Sequence, residues 1–276
     1  HVRSRRQRQM CIRDRPNSIV FRCAQIRSKE KEMALKSGFN TPKWVLIKNT
    51  DDLIIATQSL GNKAILKTNT FGYDGKGQFR INNNSNLFEI WEKLGAVECV
   101  LEELLDFKRE ISIMYFKSTD NTDGFFPLSE NFHENGILKK TIAPAILNDA
   151  IKDELKLKTK KLSENLNFYG IIAIELFELV DGRIIFNEIA PRPHNSFHWT
   201  LDGCENSQFD ILIRTICGLP VKDVKCNTKW EMKNIIGDDA NNLNEIYSNQ
   251  NYLLNLYGKK NIKAGRKMGH YNRQII

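Results

Sequence analysis

Two glutamates, Glu175 and Glu188, flank Asp181-Gly182 in the run GIIAIELFELV-DG-RIIFNEIAPRPHNS. Both flanks are apolar and rich in Ile, Phe and Val, and Asp-Gly between such flanks is a strong short-range hairpin signal. A two-residue loop at 181–182 sets Val180 opposite Arg183. In that register Glu175 faces Glu188, Phe177 faces Phe186 and Ala173 faces Ala190, all on one side of the sheet. Directly opposed β-carbons lie roughly 4.5–5.5 Å apart, and like charges there repel. Burying two carboxylates side by side requires protonating one or placing a cation between them. Mg²⁺ suits such a pair, because it takes one or two protein carboxylates and shares the rest of its shell with phosphate oxygens. Two glutamates on a wet sheet face are the plain alternative. Ala and Phe as same-face neighbours favour the metal hairpin.

The loop Gly72–Gln78 (GYDGKGQ) sets three glycines and Lys76 between two strands. Glycine admits positive φ and close approach of backbone amides to an anion, and Lys76 adds a point charge. No helix begins at its end, so it is neither a Walker A motif nor a dinucleotide fingerprint. A glycine-rich hairpin turn has the same composition. Lys67 is a charge inside the apolar strand AILKT, costly to bury without an anionic partner. Strand lysine, glycine flap and acidic hairpin together make a nucleotide-triphosphate site.

The elements that must hold these residues read as α+β. A charged helix over 27–37 ends at Gly38. Strands are expected at 43–47, 64–70 and 78–81, with helices at 50–60 and near 85–94. An extended run at 97–105 leads into the alternating strand REISIMYFK at 109–117, and short strands follow up to Pro144. Helices are expected at 148–166 and 205–217 around the hairpin at 170–190, and the tail 221–276 is polar and Asn-rich. Mixed order with hairpins argues for α+β layers over a doubly wound parallel sheet.

The 276 residues carry a net charge of +8, yet ten of the 41 Lys/Arg and two of the 33 Asp/Glu fall within residues 1–31. The rest is balanced, with no basic domain to grip nucleic acid. The head, residues 1–24, has no hydrophobic period at its start and is read as a non-native or disordered segment. No apolar run approaches the eighteen or so residues of a membrane span. Six cysteines without CxxC spacing fit a reduced, cytoplasmic chain with no zinc site.

Five stretches give these residues a context: ILKTNTFGYDGKGQ, EELLDFKREIS, FPLSENFHENGIL with IAPA, NEIAPRPHNS…HWT…SQFD, and YGKKNIKAGRKMGH. Together they resemble the ATP-grasp superfamily and, within it, the N5-carboxyaminoimidazole ribonucleotide synthase family of purine biosynthesis. The resemblance implies an ATP-grasp fold with a lid near 50–104, within a domain over 25–220, and a C-terminal domain over 221–276. It implies carboxylation of 5-aminoimidazole ribonucleotide by ATP and bicarbonate through carboxyphosphate, giving ADP and phosphate. Opening and closing of 71–78 would admit ATP and then exclude water. A homodimer is expected, without nucleic-acid or membrane partners.

Carried across residue by residue, the resemblance implies ATP contacts at Arg27, Lys67, Gly72, Tyr73, Asp74, Gly75, Lys76, Gly77 and Gln78. It extends them to Glu102, Glu103, Leu104, Leu105, Glu110, His133, Asn187 and Glu188. Glu175 and Glu188 are the implied Mg²⁺ ligands. Tyr73, Asp74, Arg192, His194, Asn195, Lys259, Arg266 and Lys267 are the implied substrate contacts, with Lys76 and Arg192 catalytic. Without the resemblance, RPHNS is an ordinary polar loop and GRKMGH a basic tail. Three departures stand out. The family's N-terminal Rossmann-like domain is not in the sequence, the chain stops soon after GHYNRQII, and Phe197 replaces the usual Gly of HNSGH. A fragment is expected. Another ATP-grasp ligase, such as a formate-dependent transformylase or a biotin carboxylase, and a nucleotide-binding piece without turnover are the alternatives.

Overall fold

The computed structural model describes residues 17–61, 63–70 and 77–275. It opens with helices α1 (Ser18–Gln25) and α2 (Arg27–Lys36). Asn17 caps α1 by accepting the Val20 amide, and its Nδ2 donates to the carbonyls of Leu166 and Asn167. Val20 and Cys23, one turn apart on the inner face, are buried in the main core. The expectation of a head outside the fold through residue 24 is therefore corrected from Asn17 onward. The start of that head lies outside the described residues.

A four-stranded layer follows. It comprises β1 (Trp44–Ile47), α3 (Thr50–Leu60), β2 (Ala64–Thr68), β3 (Gln78–Ile81), α4 (Leu87–Lys93) and β4 (Cys99–Glu103), with sheet order β1-β4-β2-β3. Ala64, Leu66, Cys99 and Leu101 pack on Leu53 of α3 and Trp91 of α4. Strand alternation then turns Ile65, Lys67 and Glu102 to the opposite face. β2 stops at Thr68, two residues short of its predicted end, where the chain leaves the ladder.

The second sheet has nine strands. In chain order the elements are β5 (Phe107–Lys117), β6 (Asp123–Phe125), β7 (Ser129–Glu134), β8 (Ile137–Ala143), α5 (Asp149–Asn165), β9 (Gly170–Leu179) and β10 (Ile184–Ala190). Then come α6 (Thr200–Gly203), α7 (Gln208–Cys217), β11 (Lys229–Ile236), α8 (Leu243–Ser248), β12 (Leu253–Leu256) and β13 (Lys267–Ile275). The order is β10-β9-β5-β7-β8-β11-β13-β12, with β6 beside β5. One face packs on α1, α2 and α5 through Ile113, Ile174 and Phe186, and the other on α7 through Met114, Ile171 and Met232. β11 pairs with both β8 and β13, so the polar tail continues this sheet. Its strands were hidden because they bury polar groups, among them Asn234, His270 and Asn272. Among the described residues no helix is long and apolar enough to cross a membrane.

Candidate functional site

The hairpin brings Glu175 and Glu188 opposite each other, but by a route the sequence did not show. Its loop has three residues, not two: the Leu179 amide donates to the Arg183 carbonyl, and Gly182 at φ +85° closes the turn onto Leu179. The register is thereby displaced by one, so Phe177 faces Ile185 and Phe186 faces Leu176, contrary to the expected Phe177–Phe186 pair. Phe186 instead enters the core against Phe39, and Phe177 stacks on Phe107 at 4.5 Å. A β-bulge at Asn187 then takes up one residue and restores the expected pairs Glu188–Glu175 and Ala190–Ala173. A bulge also suspends alternation, so the consecutive residues Asn187 and Glu188 both line the same cavity. Asn187 Nδ2 donates to Glu175 Oε2 at 3.4 Å.

That cavity, about 1380 Å³, lies between the two sheets. It gathers most of the residues expected to bind ATP: Arg27, Lys67, Gln78, the segment Glu102–Leu105, Glu110, His133, Asn187 and Glu188. Arg192, His194, Asn195 and Lys267 line it too. Gly72, Tyr73, Asp74, Gly75 and Lys76 lie outside the described residues. Gly77 is not in the lining, and its carbonyl accepts the Thr68 amide. Lys259 and Arg266 are not in the lining either. Their side chains donate to the carbonyls of Lys267 and Asn261.

Burial, and after it the charge of Glu188, pushes the Glu175 carboxyl up to about 8. One oxygen of each carboxylate and a ring nitrogen of His194 lie within 4.8 Å of one another. Burial, with Arg192 nearby, pushes His194 down to about 3, so its imidazole is neutral. The Ser196 amide donates to Nδ1, which assigns the remaining proton to Nε2, and Nε2 faces Glu175 Oε1 at 3.3 Å. His194 therefore donates toward Glu175, and the carboxylate pair is the part of this cluster left for a cation. Both amide atoms of the Asn195 side chain are buried without a hydrogen-bond partner among the described residues.

Around this centre the charges are paired. His133 Nδ1 lies 2.8 Å from Glu110 Oε2; burial opposes its charge, but the carboxylate holds its pKa above the ordinary value. Lys67 meets Glu102 at 2.9 Å, so the anionic partner demanded by its burial is within the protein. Lys31 reaches the other oxygen at 3.2 Å. Burial works against the Glu102 charge, yet the two ammonium groups hold its carboxyl below the usual range. Arg27 lies 3.8 Å from Glu188 and donates through Nε to the Thr68 carbonyl.

Sequence reasoning missed Glu30 and Lys31. Both are buried on α2, and Glu30 accepts the amide of Ile189 beside Glu188. The signal was weak: a run of alternating charges, RSKEKE, reads as a solvated helix. Phe197 does not crowd the cavity, because its fully buried ring enters the core beside Phe126 at 6.1 Å.

Relatives place this architecture. The ATP-grasp domain family matches residues 32–209, and the phosphoribosylaminoimidazole carboxylase C-terminal domain family matches residues 231–273. N5-carboxyaminoimidazole ribonucleotide synthase of Brucella melitensis is 35% identical over 260 residues, covering 94% of this chain and 72% of that protein. The Staphylococcus aureus N5-carboxyaminoimidazole synthetase solved with ADP matches at TM-score 0.86 and 36% identity, over 91% of this chain and 68% of that one. The Aspergillus clavatus enzyme solved with ADP and 5-aminoimidazole ribonucleotide matches at TM-score 0.88 and 28% identity, over 100% of this chain and 75% of that one. The chain belongs to the ATP-grasp family and, within it, to the N5-carboxyaminoimidazole ribonucleotide synthases.

Proposed function

We propose that the protein uses ATP and bicarbonate to carboxylate the exocyclic amine of 5-aminoimidazole ribonucleotide, giving N5-carboxyaminoimidazole ribonucleotide, ADP and phosphate. The observation that carries this reading is one cavity with a carboxylate pair on its floor, Lys67 paired with Glu102 on the facing sheet and the Arg192–Asn195 loop at its side. The four-stranded layer is the lid of this reading, and the segment Glu103–Leu105 is the adenine edge. Glu103 and Leu104 already donate their amides to the carbonyls of Lys43 and Lys63, which leaves Leu105 for the base. Glu110, braced by His133, accepts from ribose hydroxyls.

Glu175 and Glu188 would hold Mg²⁺, which would neutralise phosphate charge as phosphoryl transfer proceeds. The fit rests on the raised Glu175 carboxyl: a cation restores the ionised form that burial and Glu188 disfavour. Lys67 directs positive charge at the triphosphate while Glu102 keeps it in place. Arg192, His194, Asn195 and Lys267 take the imidazole nucleotide, with Lys259, Arg266 and the residues Tyr73, Asp74 and Lys76 completing the assignment. A homodimer belongs to the same reading.

The test uses protein expressed from its complete reading frame, with labelled bicarbonate, ATP and 5-aminoimidazole ribonucleotide. Phosphate release that requires the imidazole nucleotide, with label in an acid-labile carbamate, is expected. Phosphate release without label on that amine would transfer the reading to another ATP-grasp ligase.

A further inference from the structure

The stretch SQFD belongs to the run that carries the family resemblance, yet no role in ATP or substrate binding attaches to it. Its glutamine, Gln208, is fully buried at the first turn of α7, where Ser207 and Asp210 form a reciprocal cap. The side-chain amide grips the backbone of His194 on both sides. Oε1 accepts the His194 amide at 2.7 Å, and Nε2 donates to the His194 carbonyl at 3.0 Å. The second Nε2 proton faces His198 Nδ1 at 2.8 Å, and the Gln208 backbone amide donates to Thr200 Oγ1 at 3.0 Å. Every polar group of this residue's head is therefore committed to one loop.

We infer that Gln208 is a positioning residue, holding the main chain of His194 so that its imidazole and the adjacent Asn195 face the imidazole nucleotide. The inference rests on the function proposed above. His194 is extended (φ −120°, ψ 144°), so its amide and carbonyl point the same way, and a carboxamide offers them an acceptor and a donor at matching spacing whatever the pH. A carboxylate in its place would set an oxygen against the His194 carbonyl, and an apolar side chain would leave both backbone groups unpaired in a buried setting. The same clamp reaches the tail. His198 lies 4.9 Å from the His270 ring, and Tyr257 Oη meets His270 Nδ1 at 2.8 Å. β13, which begins at Lys267, is thus joined through these rings to the loop bearing His194.

The experiment compares wild type with Gln208→Met, which keeps the bulk and removes both hydrogen bonds, and Gln208→Leu, which is smaller and also removes both. Misplacing a reacting group by about 1 Å can cost on the order of 100-fold. We expect kcat/KM for 5-aminoimidazole ribonucleotide to fall about tenfold or more in both variants. KM for ATP, whose site lies across the cavity, should stay within about twofold. A loss of folded protein alone would lower turnover with both KM values unchanged, and that pattern, or full activity in Gln208→Met, overturns the inference. Hydrogen exchange at the His194 amide gives an arm independent of activity. It should be slow in wild type, and an amide that exchanges as fast as an open loop overturns the clamp even if neither variant folds. If wild type itself shows no turnover with this nucleotide, the proposed function falls, while the exchange result still decides the clamp.

Discussion

Replacing Glu188 by Gln in metal-free protein should stabilise it at alkaline pH but not near pH 5, where Glu175 is protonated and only the ion pair with Arg27 is lost. Between about 4.5 and about 8 the unfolded chain ionises Glu175 while the folded chain keeps it protonated. The folded state binds the extra proton, so stability falls as pH rises through that window and is flat above it. The whole penalty is about 5 kcal/mol at about 1.4 kcal/mol per pH unit. Burial is its larger cause, and Glu188 supplies the next part. Two unit charges within 4.8 Å of each other repel by about 3.5 kcal/mol or more at an effective dielectric of about 20. The Glu188 side chain is 38% exposed, so solvent screening reduces that figure. A gain of about 1–2 kcal/mol in the variant at pH 8.5 is expected. Urea unfolding in the presence of a chelator, at pH 5 and pH 8.5, reads it directly. The same variant, and Glu175→Gln, should lose phosphate release by about 100-fold or more, since one charged partner of the transferring phosphoryl group is gone. Near-normal turnover in both variants, or equal stability differences at the two pH values, would refute the reasoning.

Glu102→Gln leaves Lys31 and Lys67 buried without their carboxylate and should cost about 3–5 kcal/mol in urea unfolding. A change below about 1 kcal/mol would mean that water already screens the trio. His133→Ala should lower stability at pH 6 but much less at pH 9. The raised folded pKa stabilises the protein fully below about 6.5, and that stability is lost as pH rises through the folded value; a pH-independent deficit would contradict the pairing with Glu110. Phe197→Gly should cost about 3–5 kcal/mol through the void left beside Phe126, while KM for the imidazole nucleotide stays unchanged. A marked change in that KM would return Phe197 to the pocket wall.

Much of this protein is legible locally. Asp-Gly between apolar flanks marked the hairpin, alternation marked β5, and the helix expected at 50–60 is α3 with the same bounds. Each depends on neighbours within a few residues, so the sequence contains the whole cause. The opposition of Glu175 and Glu188 was also anticipated, but for an incomplete reason. A longer turn and a bulge at Asn187 cancel, and neither leaves a compositional mark, because a bulge is set by what the strand packs on. Residues whose role is to meet something distant stayed hidden. Glu30 and Lys31 looked like solvent-facing charges until α2 was laid against β10 and β4, and Gln208 looked like a helix-start residue until His194 came back to it from fourteen positions earlier. The C-terminal strands hid for a related reason: their buried faces carry Asn and His, with Asn234 donating to the Leu138 carbonyl across the sheet and Asn272 to Asp202 of α6, so hydropathy alternation, the signal available in one dimension, is absent there. Local pattern determines the elements; which buried polar group meets which is decided only when the two sheets and α2 close around the cavity.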